Sequence, residues 1–544
     1  VSKVAKQPST SGAAASISLS CVVLLLYLGL LVLITTVLCE LAAKRDWLPY
    51  WVSRKILHIV AVGSCAVAGY LADSLGHREL LIWIVASAEV LLLGLIGFGG
   101  LMREESGRRP WGIVWFPLAF LVLLLLSSDA ETIGFSMAIL AICDPAATIA
   151  GKLSQYKEKK PTERLDAQLI KENTLKTFWI AMPYQLTGDP KTVIGNLAFF
   201  STYFLLCQLI PTCYFLLEPD PLFCGCQSFA EAITYQTLVL SGLMLTAGEA
   251  LGSKGSDNLI VPILAATLLN IDMNWLSDLS VLAMILAASV FSYLTIRRRS
   301  LSPGGAVTAS LLGIIVALTA GPIWLLPLFL FFGSSSLIGK LFPTTSAAAD
   351  AKQKQPRDAT QVLANGGVYV ALALMMYYEQ HSGLIRLIMT PWELLLLTAA
   401  AVATADTWSS ELGQYFRQPT WDLVKWRRVP AGLSGGVSWP GTLAGMAGAM
   451  FIASWGFLLV QPSPTFSLDI LIVAILGLTG MLVDSILGSL LQATYRDPTT
   501  GDLSDVCPPG GELVSGFRWM TNDLVNFLAI LVTVVLAREV FWFF

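Results

Sequence analysis

The residues of this 544-residue chain that could do chemistry are few, and most of them border apolar segments. Arg54, Lys55 and His58 fall within one helical turn, so a helix would present them on a shared face. Asp144 directly follows the apolar run 139–143. Charged side chains are costly in lipid and indicate functional sites. Because cations neutralise phosphate and carboxylates hold Mg²⁺, these residue types favour phosphoryl transfer.

Similar polar residues recur along the chain, nearly all on one face of the membrane by the topology given below. A transporter would instead place them near the bilayer midplane, beside broken helices. Clustering at one face indicates a water-soluble, anionic co-substrate that meets a lipid substrate at the interface. Arginine and lysine at a span end can also be explained without a functional role, as anchors whose charged ends snorkel to the interface. A histidine can likewise be explained as a core residue. The set comprises Arg54, Lys55, His58, Asp144, Lys152, Lys176, Glu249, Asp257, Asn258, Arg297, Arg298, Arg299, Asn365, Asp406, Glu411, Asp484, Asn522, Asp523 and Asn526.

The composition is that of a membrane protein. Only 13% of residues are charged and 55% are hydrophobic, whereas soluble proteins carry about 25% charge. This excludes a soluble enzyme, a disordered regulator and a secreted disulfide scaffold. The sequence has no basic face interleaved with aromatic residues, so it does not indicate nucleic-acid binding. It also has no Walker-type glycine loop, so it does not indicate a P-loop kinase.

The apolar segments predict an all-α polytopic integral membrane protein with about sixteen transmembrane helices in two bundles. The first 19 residues resemble a disordered or targeting tail, and we assign them no fold. The predicted helices cover 20–39, 56–72, 79–100, 111–127, 132–150, 196–217, 232–248, 259–273, 278–296, 303–320, 322–338, 361–378, 391–408, 440–460, 468–490 and 522–541.

The loops alternate in charge. Those that follow odd-numbered spans carry most of the lysine and arginine, including the triplet Arg297–Arg299, while the others are short and mostly acidic or neutral. The positive-inside rule places the basic loops in the cytoplasm or its organellar equivalent. The polar residues of both halves are therefore predicted to face one compartment.

Four stretches in residues 45–275 resemble the phytol kinase/dolichol kinase family of membrane polyprenol kinases. Where that family has a Lys-Ser followed by Gly-Ser, this chain offers Lys176-Thr177-Phe178. The matching stretches are Ser53–His58, Arg109–Gly112 with Phe116-Pro117, Cys143–Lys152, and Glu249-Ala250 with Asp257–Leu259 and Pro262.

Residues 290–544 resemble the phytyl-phosphate kinase family, whose members are integral membrane proteins. The resemblance covers nearly all of this half. Its stretches are Arg299–Ser302 with Gly304–Ala306, Phe331-Phe332 with Ser334–Ser336 and Lys340, Gln361–Gly367, Ala405–Gly413, Gly432–Ser438 with Gly441-Thr442, Asp484-Ser485 with Leu487-Gly488, and Asn522-Asp523 with Val525–Phe527.

Together the two resemblances imply consecutive reactions in one chain. The first family converts a prenyl alcohol to its monophosphate with a nucleotide triphosphate, typically CTP, and the second converts the monophosphate to the diphosphate. The implied role is phytol salvage into tocopherol and phylloquinone synthesis. The implied domains are 20–275 and 276–544, in a bacterial inner, thylakoid or plastid envelope membrane.

The resemblance also implies roles for the first-half residues. Asp144, with His58 second, is the predicted general base for the prenol hydroxyl. Arg54, Lys55, Lys152 and Lys176 would hold phosphates. Mg²⁺ would be held by Glu249, Asp257 and Asn258.

In the second half the nucleophile would be a phosphate oxygen that is already ionised near neutral pH, so no strong base is needed. Cations must offset the repulsion between the two anions. The residues predicted to bind phosphate are Arg297, Arg298, Arg299 and Lys340. The predicted catalytic carboxylates are Asp406 and Asp484, which would carry the metal together with Glu411 and Asp523. The predicted polar partners are Asn365, Asn522 and Asn526.

Two other functions remain open from the sequence. A CTP-dependent lipid cytidylyltransferase would use the same ingredients but release pyrophosphate instead of CDP. A two-repeat transporter would move its substrate without a nucleotide. The prenol chain, the choice among CTP, ATP and UTP, and the oligomeric state are likewise open.

Overall fold

The computed structural model describes residues 10–74, 77–97, 112–127, 129–158, 183–187, 189–216, 234–273, 275–343, 355–382, 390–456, 459 and 466–543. Within them lie sixteen α-helices, which confirms the predicted all-α architecture. The helices are α1 (Thr10–Lys44), α2 (Tyr50–Ser74), α3 (Arg78–Gly97), α4 (Gly112–Leu126), α5 (Ala130–Glu158), α6 (Val193–Leu216), α7 (Tyr235–Leu251), α8 (Asp257–Leu269), α9 (Asp278–Arg297), α10 (Pro303–Thr319), α11 (Leu325–Leu341), α12 (Ala359–Ser382), α13 (Trp392–Phe416), α14 (Trp439–Trp455), α15 (Phe466–Leu491) and α16 (Asn522–Phe543).

Eight of the helices in the described part of the chain are long and apolar enough to cross a membrane. Helices α4, α8 and α10 and the first part of α6 are apolar but shorter. A helix suits this setting because it satisfies every backbone hydrogen bond internally, where lipid offers no partner.

Helix starts follow ordinary capping chemistry. Ser302 precedes Pro303 and accepts a hydrogen bond from the Gly305 backbone N–H at 3.0 Å. Thr234 caps α7 in the same way, through the backbone N–H of Thr237. These caps satisfy donors that the first helical turn leaves free.

The chain divides into two compact units, Val1–Ile285 and Leu286–Phe544. In the first unit α5 packs against α2 and α6, while α8 packs against α4, α5 and α7. The core there is apolar and fully buried, with Met137 and Leu140 of α5 among its largest side chains. This packing brings the first part of α2, the middle of α5, the end of α7 and the start of α8 toward one another.

In the second unit α13 is the central helix, buried from Leu394 through Ala405 and packed against α14, α15 and α16. Small residues allow the close approach. A Cβ on Gly477 would lie 2.9 Å from the Ala401 Cβ, and one on Gly445 would lie 2.5 Å from the Met481 sulfur. Such contacts are typical of helix packing in membranes.

Short antiparallel strands join some of the helices. Strands β1 (Pro183–Tyr184) and β2 (Lys191–Thr192) pair before α6, with Tyr184 opposite Lys191. The other six strands form two three-stranded sheets, in the orders β4-β3-β5 and β7-β6-β8. They are β3 (Thr420–Asp422), β4 (Arg427–Val429), β5 (Gly436–Val437), β6 (Thr494–Arg496), β7 (Leu503–Ser504) and β8 (Glu512–Ser515).

Candidate active site

Asp144 lies in α5 opposite two basic residues of α2. The Lys55 ammonium donates a hydrogen bond to Asp144 Oδ2 at 2.7 Å, and His58 Nε2 lies 3.4 Å from the same oxygen. The Asp144 side chain is only 4% exposed. A buried carboxylate remains ionised only beside such cationic or hydrogen-bonding partners. The predicted one-turn grouping of Lys55 and His58 therefore meets Asp144 in three dimensions.

A second ion-pair cluster adjoins the first, centred on Lys191 in β2. The Lys191 ammonium donates to Glu249 Oε1 at 2.5 Å and to Asp257 Oδ2 at 3.0 Å. Glu249 lies in the last turn of α7 and Asp257 is the first residue of α8. One lysine thus joins the adjacent ends of two helices.

The two clusters share a set of carboxylates. Oxygen atoms of Asp144, Glu249 and Asp257 all lie within 4.8 Å of one another. Glu249 Oε2 is buried and has no hydrogen-bond partner among the described residues. Mg²⁺ prefers oxygen ligands of this kind, usually one or two carboxylates together with substrate phosphates. The donor set and the unpartnered oxygen fit a divalent cation.

The electrostatics of Lys191 follow from its surroundings. Burial by itself lowers the pKa of the Lys191 ammonium, but the carboxylates of Asp257 and Glu249 outweigh burial and raise that pKa above its ordinary value. Lys191 is therefore charged at neutral pH and offsets part of the negative charge at the cluster.

Close backbone contacts hold the carboxylates in place. A Cβ on Gly252 would lie 2.4 Å from the Asp257 Cβ, so only glycine fits there without displacing Asp257. Asn258 donates its side-chain N–H to the Gly112 carbonyl oxygen at 3.1 Å, which ties the start of α8 to the start of α4. Thr187 donates to the Leu251 carbonyl oxygen at 2.9 Å and anchors the β1–β2 hairpin to α7.

The remaining first-half residues lie apart from this cluster or outside the described residues. Arg54 is exposed, and the exposed Lys152 places its ammonium 5.0 Å from the centre of the Trp51 ring. Lys176 lies outside the described residues, as do Arg109 and Trp111 of the second stretch. The grouping therefore contains Lys55, His58, Asp144, Glu249, Asp257 and Asn258 of the predicted set.

Sequence reasoning missed Lys191. Its signal is a second Lys-Thr pair, Lys191-Thr192, followed three residues later by Gly195-Asn196. The polyprenol kinase family has a Lys-Ser followed by Gly-Ser. The residues from Lys191 to Asn196 resemble that pattern more closely than Lys176-Thr177-Phe178 does. Thr192 accepts a hydrogen bond from the Gly195 N–H at 3.0 Å and starts α6, which fixes Lys191 one residue before it.

Several predicted residues of the second unit lie on the packed helices α13, α15 and α16. The Asn526 side-chain amide satisfies its neighbours when its nitrogen, rather than its oxygen, faces Asp484. In that orientation it donates a hydrogen bond to Asp484 Oδ2 at 3.0 Å and joins α16 to α15. Asn365 donates to the Gln361 carbonyl oxygen of its own helix at 3.0 Å. Asp406 and Asp523 are both partly buried and engaged with neighbours.

The predicted phosphate-binding cations of this unit are exposed. They are Arg297, Arg298, Arg299 and Lys340. Arg297 donates to the Tyr293 hydroxyl on the same helix at 2.6 Å. Glu411, predicted as a metal ligand, instead faces Arg357, with 3.6 Å between Oε1 of Glu411 and a guanidinium nitrogen. Among the described residues, only Asp144, Glu249 and Asp257 form a compact group of three possible metal ligands.

The loop sheets contain one further buried carboxylate that sequence reasoning missed. Asp422 accepts hydrogen bonds from the backbone N–H groups of Val424 and Lys425, both at 2.9 Å, and from the Ser489 hydroxyl at 2.8 Å. Burial raises the pKa of Asp422, but these hydrogen bonds outweigh burial and lower that pKa below its usual range. Asp422 thus fastens the β3 loop to the end of α15.

The fold and the polar cluster define a polytopic α-helical integral membrane protein. Residues 286–534 match the family described as integral membrane protein DUF92. The chain is 27% identical over 275 residues to Protein PGR of Arabidopsis thaliana, which covers 46% of this chain and 92% of that protein. It is 25% identical over 232 residues to the chloroplastic Protein VTE6 of the same plant, covering 42% of this chain and 62% of VTE6.

A third relative is an uncharacterized membrane protein of Methanocaldococcus jannaschii, 29% identical over 211 residues, which cover 38% of this chain and 82% of the relative. No solved structure matches the chain. The comparisons therefore support an integral membrane protein related to these proteins, and the DUF92 match falls in the second unit.

Proposed function

We propose that this protein is a membrane prenyl-alcohol phosphotransferase that acts twice, converting phytol or a related isoprenoid alcohol to the monophosphate in the first unit and to the diphosphate in the second. CTP is the proposed phosphoryl donor, and tocopherol or phylloquinone synthesis the proposed destination of the product. The convergence of Asp144, Glu249 and Asp257 with Lys55 and Lys191 carries the proposal.

This cluster contains the parts that phosphoryl transfer needs. Lys55 and Lys191 supply positive charge for phosphate oxygens, and the carboxylates supply hard ligands for Mg²⁺. Bound there, Mg²⁺ would neutralise charge on the transferring phosphate. Glu249 and Asp257 would hold it, with Asp144 beside them.

In the proposed first reaction the prenol hydroxyl oxygen attacks the γ-phosphorus of CTP. A new O–P bond forms, the bond from the γ-phosphorus to its bridging oxygen breaks, and CDP leaves. Asp144 accepts the hydroxyl proton. Lys55 and His58 both approach Oδ2, while no described residue hydrogen-bonds to Oδ1. Oδ1 is therefore the acceptor we assign, and Lys55 keeps the carboxylate ionised and oriented.

In the proposed second reaction an ionised oxygen of the monophosphate attacks the γ-phosphorus of a second CTP. A new O–P bond forms, the bond from that phosphorus to its bridging oxygen breaks, and CDP leaves. Because the nucleophile is already ionised, proton removal matters less than charge neutralisation. The resemblance of residues 290–544 to the phytyl-phosphate kinase family and the similarity to the chloroplastic VTE6 support this step. Plastid membranes are the corresponding proposed location, with both reactions on the cytoplasmic or stromal face.

The test uses purified protein in lipid nanodiscs with phytol, Mg²⁺ and γ-labelled CTP, ATP or UTP, and lipid products are separated by thin-layer chromatography. We expect label in both phytyl monophosphate and diphosphate. Asp144→Asn should abolish both products from phytol yet still convert supplied phytyl monophosphate, and Asp406→Asn should stall at the monophosphate. Asp46→Asn, at an exposed position between α1 and α2, is the matched control.

The nucleotide product separates this proposal from its alternatives. CDP release supports phosphoryl transfer, whereas pyrophosphate release with a CDP-lipid product from the lipid monophosphate would establish a cytidylyltransferase. Lipid movement across sealed vesicles without nucleotide, together with no labelled product from phytol or phytyl monophosphate, would establish a transporter and overturn the proposal.

A further inference from the structure

Arg357 occupies a defined place at the start of α10. Its backbone N–H donates to the Ser300 carbonyl oxygen at 3.2 Å, and its own carbonyl oxygen accepts from the Ser302 N–H at 3.0 Å. A Cβ on Gly305 would lie 2.3 Å from that carbonyl oxygen, so glycine is required for this approach. The backbone of Arg357 is therefore held against the turn that leads into the helix.

The Arg357 guanidinium is largely buried but poorly paired. Its side chain is 25% exposed and lies 5.9 Å from the ring centre of Phe331 and 5.7 Å from that of Phe332. Its distance of 3.6 Å to Glu411 Oε1 allows attraction but exceeds the length of a hydrogen bond. An arginine stays charged and carries five N–H donors, and none of them has a hydrogen-bond acceptor among the described residues.

Glu411 has unused capacity as well. Its side chain is 15% exposed, and its Oε2 atom is buried without a hydrogen-bond partner in the described ranges. Glycine at position 339 of α11 lets this carboxylate approach the helix closely, since a Cβ there would lie 3.1 Å from Oε2. The guanidinium and the carboxylate therefore both retain hydrogen-bonding capacity that an additional polar group would use.

We propose that Arg357 is the phosphate-binding arginine of the second unit and that its guanidinium receives the phosphate dianion of the prenyl monophosphate, with Glu411 as the residue that positions it. This inference rests on the proposed function. An arginine fork matches the oxygens of a phosphate group and binds them in bidentate fashion. A phosphate would satisfy donors of Arg357 that have no acceptor in the part of the chain that the structure describes.

Two observations favour Arg357 over the exposed basic residues. Water screens exposed charges such as Arg298 and Lys340, whereas a partly buried guanidinium interacts more strongly with an anion. In addition, Phe331 and Phe332 flank the guanidinium with apolar rings. A prenyl phosphate presents that combination of an anionic head and an apolar chain, which a nucleotide does not.

The test measures equilibrium binding of labelled farnesyl monophosphate and, separately, of labelled CTP to the full chain in nanodiscs. Arg357→Met should weaken binding of farnesyl monophosphate about tenfold or more, since a charge-assisted hydrogen-bond pair is lost. Arg357→Lys keeps the charge without the planar fork and should recover only part of the affinity. Arg538→Met, at an exposed position near the end of α16, should bind both probes as the wild type does.

Glu411→Gln tests the positioning role. In the Glu411→Gln background, the difference in affinity for farnesyl monophosphate between Arg357 and Arg357→Lys should become smaller, because the guanidinium loses the group that orients it. Thermal unfolding of each variant verifies that it folds. A uniform loss of stability with unchanged probe affinities would show that the pair is merely structural and would overturn the proposal.

The outcomes separate this inference from the proposed function. Farnesyl monophosphate binding that Arg357→Met leaves unchanged overturns the assignment of Arg357 while the phosphotransferase remains. A loss confined to CTP also overturns it, because it makes Arg357 a nucleotide residue. A wild-type protein that binds neither probe removes the proposed second reaction and this inference with it.

Discussion

At the scale of single residues, Lys191 decides the character of the candidate site. Its ammonium lies between Glu249 and Asp257, where a divalent cation would bind the same oxygens. The lysine thus stabilises two carboxylates that would otherwise repel each other at short range. Removing one partner from such a buried network is costly, because the remaining charges lose their compensation.

We expect Lys191→Met to lower the thermal unfolding midpoint by about 5 °C or more, from a loss of about 3 kcal/mol. Mg²⁺ should restore part of the loss, because the cation replaces the missing positive charge. Differential scanning fluorimetry with and without Mg²⁺ measures this. Lys191→Arg should retain most of the stability, and the exposed Lys254→Met serves as the control. Destabilisation that Mg²⁺ leaves unchanged would argue against a cation site here.

At the scale of elements, the junction between α7 and α8 positions Asp257. Gly252 follows α7 directly, and the close approach of its Cα to Asp257 determines where α8 begins. The site therefore depends on a residue that has no functional group. In the second unit, by contrast, side chains position the connection, because a hydrogen bond from Ser489 to Asp422 holds the β3 loop to α15.

Gly252→Ala should displace Asp257 and reduce monophosphate formation from phytol about tenfold or more, since catalysis is sensitive to small misplacements. Conversion of supplied phytyl monophosphate should be unchanged. Gly63→Ala in α2 is the matched control, because a Cβ there meets nothing within 4 Å. Product formation is measured by thin-layer chromatography, and equal activity of the two variants would contradict the positional role of Gly252.

Asp422 should make the stability of the second unit depend on pH. Its folded-state pKa lies below the ordinary value, so its contribution is complete above the unfolded value of about 3.9 and is lost as the pH falls through the folded value. We expect Asp422→Asn to lower the unfolding midpoint at pH 7, and the difference from wild type to shrink toward pH 3. The exposed Asp502→Asn should show neither effect. A difference that persists undiminished at pH 3 would contradict this account.

At the scale of the whole molecule, sidedness is the property on which consecutive reactions depend. If both units present their polar residues to one compartment, the monophosphate intermediate need never cross the bilayer. The charge alternation of the loops predicts this arrangement. It also predicts that the short loop after α12 lies on the opposite side.

Cysteine labelling in sealed, oriented vesicles tests the predicted sidedness. In a chain whose other cysteines are alanine, the exposed native Cys507 and an introduced Arg45→Cys should react with an impermeant maleimide from the same side. Gln380→Cys, exposed near the end of α12, should react from the other side. Labelling of the Cys507 and Arg45→Cys positions from opposite sides would invert one unit and rule out a shared compartment.

The sequence by itself determined the elements of this protein. Long apolar segments without charge can only form helices in lipid, so the sixteen helices followed from composition and length. It also pointed to Lys55, His58 and Asp144, because ionisable residues beside apolar runs are conspicuous. Lys55 and His58 are three residues apart, and this local spacing was enough to place them on one face of α2.

Only the tertiary structure decided which charged residues meet. Asp144, Glu249 and Asp257 belong to three helices, and their convergence depends on how those helices pack. Lys191 and Arg357 were overlooked because they lie in the segments between helices, where a basic residue ordinarily indicates sidedness alone. Burial distinguishes them from the exposed Arg297–Arg299, and burial arises from long-range contacts that no local pattern encodes.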